Sequence, residues 1–124
     1  MNAKIADSEI FRHETAGGVV VERVRHLTAY KGAIETYIDA LNERRGAGFS
    51  SNYEYPGRYT RWDTAIVDPP VVITSRARQM RIEALNKRGT ILLRPILKTV
   101  QALAEVKVDK ADEDLIELTI AEPT

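Results

Sequence analysis

The chain has 124 residues with 18 basic and 18 acidic side chains, so its formal charge is zero and no global field favours nucleic acid or an anionic membrane surface. It contains no cysteine, which excludes a disulfide framework and thiolate metal sites and suits a reducing, cytoplasmic setting. No apolar run approaches the roughly 20 residues that span a bilayer, and the first residues lack a signal-peptide core, so one soluble domain or a piece of a larger one is expected.

Residues 1–18 are polar and end in Gly17-Gly18, which reads as a flexible N-terminal arm, with order beginning near residue 19. From Val19 to Leu27 the β-branched, imperfectly alternating run predicts a strand partly buried on both faces. Thr28 can cap a following helix in which Ile34, Tyr37, Ile38 and Leu41 share one side and Lys31, Glu35, Asp39 and Glu43 the other, with an end at Arg45-Gly46. After Gly48 the period falls to two. Phe49, Ser51 and Tyr53 point one way and Ser50, Asn52 and Glu54 the other, Pro56-Gly57 supplies a turn, and "RWDTAIVD" (residues 61–68) returns before Pro69-Pro70 stops it. The runs "VVITSR" and "QMRIEALN" predict a further hairpin, with turn chemistry at Asn86-Lys87-Arg88-Gly89. Pro95 opens a second helix whose Ile96, Leu97, Val100, Leu103 and Ala104 share a face, and "DLIELTIA" (residues 114–121) is a last strand. The fold class is α+β, a largely antiparallel sheet with two packing helices. A strand finishing so close to residue 124 fits an N-terminal portion of a larger α+β domain and equally a small domain that ends in its last strand.

Little in this sequence assembles catalysis. His13 and His26 have no companion at metal-ligand spacing, and no Gly-rich phosphate loop is present. Ser50 and Ser51 lack the strained turn and positioned base that a nucleophilic serine needs. Arg76, Arg78, Arg81, Lys87 and Arg88 form a local basic cluster, which as a solvated, aggregation-resistant edge is favoured over a phosphate-binding patch. The dense segment "FSSNYEYPGRYTRWD" (residues 49–63) fits either a hairpin packed through Phe49, Tyr53 and Trp62 or a ligand edge, and composition alone leaves both open.

The run from "ETAGGVVVERV" through "YIDALNERRGAGFSSNYEYPGRYTRWDTAIVDPPVVITSRARQMRIEALNKRG" resembles the N-terminal part of anthranilate synthase component I, of the fused bacterial type joined to a glutamine amidotransferase; "FSSNYEYPGRYTRWD" is its most specific portion. The resemblance implies a lyase of tryptophan biosynthesis that makes anthranilate from chorismate and glutamine-derived ammonia under feedback inhibition by L-tryptophan. It makes residues 19–124 the regulatory, tryptophan-sensing portion. The chorismate site and its magnesium belong to a catalytic half beyond residue 124, so this chain itself would hold no cofactor and no catalytic residue and would be inactive alone. Implied partners are L-tryptophan, the remaining catalytic part, the amidotransferase domain and a second copy in a homodimeric parent enzyme; nucleic acid and membrane are not among them. The family's inhibitor strand, often Leu-Leu-Glu-Ser, falls here on Phe49-Ser50-Ser51-Asn52. Ser51 stands where the family has glutamate and Asn52 where it has serine, so Ser51 and Asn52 are the first candidates for effector binding and Ser50 and Tyr53 their neighbours. Glu54 is the nearest carboxylate, on the Asn52 face of a regular strand. The competing readings are a stand-alone small-molecule binding or interaction domain of the same fold and, more weakly, a nucleic-acid binder using Arg76 to Arg88.

Overall fold

The computed structural model of the chain describes residues 8–29, 31–50, 57 and 62–124. These hold two helices and eight strands, every strand pairing is antiparallel, and the fold is α+β. The chain divides into two compact units, Met1–Asp68 and Pro69–Thr124.

In the first unit, β1 (Glu9–Glu14) and β2 (Val20–Arg25) form a hairpin in register from Glu9 opposite Arg25 to Glu14 opposite Val20. Its turn is closed by the Gly18 N–H donating to the Thr15 carbonyl at 2.9 Å and the Val19 N–H donating to Thr15 Oγ1 at 3.1 Å; Gly18 takes φ 82°, a left-handed value that glycine adopts without a Cβ penalty. β1 lies inside the segment read from sequence as an N-terminal arm. No apolar alternation announces it, because cross-strand pairs stabilise it instead: the Arg23 guanidinium sits 4.5 Å from the Phe11 ring centroid, and Arg25 pairs with Glu9 at 3.5 Å. β2 matches the expected strand in place but not in burial. All six of its residues are exposed, Val20, Val21 and Val24 among them.

The next helix, α1 (Ala33–Ala40), is shorter than the sequence pattern predicts. Gly32, left-handed at φ 76°, precedes it, with the Thr36 hydroxyl donating to the Gly32 carbonyl at 3.3 Å, so Thr28 is not its cap. It ends at Leu41 rather than at Arg45-Gly46, and Gly46 instead begins β3 (Gly46–Ser50). A Cβ on Gly46 would stand 1.9 Å from the Ile66 carbonyl oxygen, so glycine is needed there for close approach of β4 (Asp63–Val67), the antiparallel partner of β3, and not as a helix cap. α1 packs on β4. An Arg44–Asp68 ion pair and the Asp68 N–H donating to the Arg45 carbonyl at 2.8 Å close this hairpin at its open end.

The second unit is a four-stranded sheet with one helix. β5 (Val71–Arg76) and β6 (Gln79–Ala84) make the expected hairpin around Ala77-Arg78. α2 (Lys87–Gln101), β7 (Val106–Ala111) and β8 (Leu115–Ile120) complete it, in the strand order β5-β6-β8-β7. Asn86 is the N-cap of α2 rather than a turn residue: its Oδ1 accepts from the Gly89 N–H at 3.2 Å and its Nδ2 donates to the Pro69 carbonyl at 3.3 Å. The helix thus starts well before Pro95, which lies inside it, and it stops short of Leu103 and Ala104, both exposed. Ile82, Leu93, Ile116 and Leu118 form the buried core, with Ile96, Leu97 and Val100 of the helix packed against it. Complete burial of each such side chain contributes about 1.5–3 kcal/mol.

Candidate functional site

The β3–β4 hairpin delivers the candidate effector edge. Its register sets Ser50, the last residue of β3, opposite Asp63, the first of β4, and the Ser50 hydroxyl donates to Asp63 Oδ1 at 2.5 Å. A hydroxyl bound to a carboxylate at this distance is a charge-assisted hydrogen bond, among the stronger kinds. The connection between these strands carries Ser51, Asn52 and Tyr53, the other predicted site residues, and Glu54; all four lie outside the described residues. Of the aromatic residues read as hairpin packing, the two that are described are not core: Phe49 is 64% exposed and Trp62 73% exposed.

Beside Asp63 a cleft of about 180 Å³ is lined by Ala33, Ile34 and Tyr37 of α1 and by Asp63 and Ala65 of β4. One wall is apolar with a phenol, and its rim bears a carboxylate. That combination suits a small ligand with an apolar body and a cationic group, although the volume is below the roughly 300–1,000 Å³ of complete ligand pockets. Sequence reasoning did not single out Asp63. The signal was present only in the pairing: Ser50 and Asp63 become partners once the β3–β4 register is known.

The other candidate chemistry is dispersed. Arg76 and Arg81 lie with Thr74, Gln79, Asp109, Glu117 and Thr119 around a shallow concavity of about 440 Å³ on the sheet of the second unit. Asp109 accepts from the Thr119 hydroxyl at 2.6 Å, and Arg81 is 4.0 Å from Glu83. Arg78 instead turns to the chain end, donating to the Ala121 carbonyl at 2.9 Å and lying 3.7 Å from Glu122, while Lys87 and Arg88 open α2. Arg78 and Arg81 therefore each lie beside a carboxylate, and the cluster read from sequence is split between the β5–β6 sheet surface, the chain end and the start of α2. His13 sits in β1 opposite Val21, and His26 follows β2 and is exposed rather than partly buried within it. Among the described residues, no three His, Asp or Glu side chains are grouped to hold a metal ion, and no helix is long and apolar enough to cross a membrane.

Over 95 residues the chain is 42% identical to the anthranilate synthase of Azospirillum brasilense. This chain is homologous to part of an anthranilate synthase. The match takes in 77% of this chain and 13% of the Azospirillum protein, so the chain spans only a small part of its relative's length. No family model matches the chain, and no solved structure matches it. The relation to anthranilate synthase expected from the resemblance is thus supported by alignment over most of the chain.

Proposed function

We propose that this chain is the N-terminal regulatory portion of an anthranilate synthase, of the type fused to a glutamine amidotransferase, and that the β3–β4 edge forms part of its L-tryptophan feedback site. The observation that carries this reading is the Ser50–Asp63 pair at the rim of an apolar cleft, at the head of the segment where the family's inhibitor strand falls. Asp63 provides the carboxylate for the effector ammonium that Ser51 does not, and Ser50 holds its Oδ1 in place. Ala33, Ile34 and Tyr37 offer an apolar wall for the indole, and Ser51 and Asn52 supply hydroxyl and amide groups for the amino-acid head. Chorismate, ammonia and magnesium chemistry belong to the remainder of the parent enzyme. Inhibition then requires that tryptophan favour one arrangement of the whole enzyme over another, because an effector shifts an equilibrium only by its differential affinity.

Titration of the isolated chain with L-tryptophan, followed by backbone amide shifts, tests this assignment. The wall supplied by the rest of the enzyme is missing, and at about 25 cal/mol per Å² its loss is worth on the order of 1–3 kcal/mol. Weak binding is therefore expected, roughly tenfold to a hundredfold below that of the complete site. The shifts should centre on Ser50, Ser51, Asn52, Tyr53, Asp63 and Tyr37. Shifts confined to Pro69–Thr124 would contradict the site, and tight saturable binding would favour a self-sufficient small-molecule binding domain.

A further inference from the structure

The two arginines of β2 share a face. Successive residues of a strand point to opposite sides, so Arg23 and Arg25 lie with Glu9, Phe11, His13 and Val21, while Arg12, Glu14 and Glu22 lie on the other side of the hairpin. The arginine Cα atoms are about 6.8 Å apart, two residues at roughly 3.4 Å each. Beside them a shallow concavity of about 550 Å³ is lined by Arg23, Val24, Arg25, His26 and Tyr37 of α1. Every polar side chain lining it can donate a hydrogen bond, and none is a carboxylate. Its volume is in the range of small-molecule sites.

The two arginines are held unequally. Arg25 pairs with Glu9 at 3.5 Å, and both side chains are more than half exposed, so this is a solvated contact that an entering anion can displace. Arg23 stands 4.5 Å from the Phe11 ring centroid, and among the described residues no carboxylate pairs with it. The aromatic face covers one side of the guanidinium plane and leaves the N–H groups at its edge to an oxygen ligand. The arginines of the second unit differ: Arg78 lies 3.7 Å from Glu122, and Arg81 lies 4.0 Å from Glu83.

We propose that this concavity is an anion site for a small organic phosphate, with Arg23 and Arg25 as its principal ligands and the His26 ring and Tyr37 hydroxyl as further donors. A phosphate ester presents three terminal oxygens, enough to engage both guanidiniums and a third donor, whereas a monocarboxylate presents two. The concavity is larger than a phosphate group, which leaves space for the organic body beside Val24 and Tyr37. A nucleic-acid backbone is not the occupant, because it demands a stripe of cations, and this site offers two arginines on a chain of zero net charge. The site is separate from the tryptophan cleft, although Tyr37 borders both, and it does not rest on that assignment.

Titration of the full 124-residue chain with inorganic phosphate and with glycerol 3-phosphate, at fixed pH and with sodium chloride holding ionic strength constant, tests the site through backbone amide shifts. Saturable shifts should centre on Arg23, Val24, Arg25, His26 and Tyr37 and leave Ser50 and Asp63 in place, which separates this site from the effector edge. The ester should bind more tightly than the inorganic ion. Arg23→Gln should weaken its binding by about tenfold or more, since charge-assisted forks are the strong contacts here. Arg23→Lys, which keeps the charge and loses the fork, should weaken it less, and Arg12→Gln on the opposite face should leave it unchanged. The amide shifts of Thr15 and Val19, which close the hairpin turn, report that the hairpin persists; Arg25→Gln tests the same donor set if Arg23→Gln opens it. Absence of saturable shifts, shifts reproduced by sodium chloride alone, inorganic phosphate binding as tightly as the ester, or affinity unchanged in both Gln variants would overturn the proposal.

Discussion

Gly89→Ala sets helix propensity against packing, and the structure decides the sign. Gly89 is buried in the first turn of α2, where alanine is intrinsically favoured over glycine by about 1 kcal/mol. A Cβ there would stand 2.0 Å from the Pro70 carbonyl oxygen and 3.0 Å from both Ala84 Cα and Cβ. The first of these is backbone, and the same oxygen accepts the Leu85 N–H, so relief requires the start of β5 to move and weakens that hydrogen bond. Overpacking of this kind costs about 1–3 kcal/mol, and a weakened backbone hydrogen bond about 1 kcal/mol more. The net expectation is a destabilisation of about 1–3 kcal/mol. With a urea slope near 1 kcal/mol/M for a small unit, the midpoint should fall by roughly 1–3 M. All tyrosine, tryptophan and phenylalanine residues lie at or before Trp62, so fluorescence follows the first unit alone. Amide signals of Ile82, Leu93, Ile116 and Leu118 follow the second. The loss should appear in those amide signals and leave the fluorescence transition in place; a Gly89→Ala chain as stable as the wild type would refute the packing argument.

Gly46→Ala should open the β3–β4 hairpin, because its Cβ would meet the Ile66 carbonyl at 1.9 Å, and amide shifts of residues 46–50 and 63–67 should move while the core of the second unit stays fixed; an unchanged spectrum would show that the close approach is not required. The purified chain should form no anthranilate from chorismate with ammonia and magnesium, and any turnover above a blank would place catalytic groups within these 124 residues. Ser51→Leu, placed in a complete synthase that carries this region, should weaken tryptophan inhibition and spare catalysis by adding apolar volume and removing a hydroxyl at the effector edge. Equal loss of activity with inhibition unchanged would mark Ser51 as structural.

What could be read from the chain depended on whether local pattern and tertiary pairing agreed. β5, β6 and β8 were legible because alternating β-branched residues meet short turns, and the α1 face because Ile34, Tyr37, Ile38 and Leu41 repeat at helical spacing. Its ends were not legible. Gly46 looks like a helix terminator, but the close backbone of Ile66 gives that glycine its role. Pro95 misplaced the start of α2 because proline favours a first turn, while the decisive group was the Asn86 side chain reaching the Gly89 N–H. β7 was missed: only Val106 and Val108 alternate before charged residues and a bulge intervene. β1 owes its place to partners in β2 rather than to any pattern of its own. At the candidate site, the Ser50–Asp63 pair was not legible in the sequence, since Asp63 becomes adjacent only through hairpin register.

The central claim is most directly tested by tryptophan inhibition of a chimera in which this chain replaces the matching stretch of the Azospirillum brasilense anthranilate synthase, compared with the same chimera carrying Asp63→Asn. Hydrogen bonds to a charged group are worth about 1.5–3 kcal/mol, and removing the carboxylate charge at an effector ammonium should raise the half-inhibitory tryptophan concentration tenfold or more. Anthranilate formation without tryptophan should stay within about twofold if, as proposed, the catalytic groups belong to the remainder of the enzyme. A raised half-inhibitory concentration with intact synthesis is the expected result; inhibition unchanged by Asp63→Asn would contradict the placement of the tryptophan site on the β3–β4 edge.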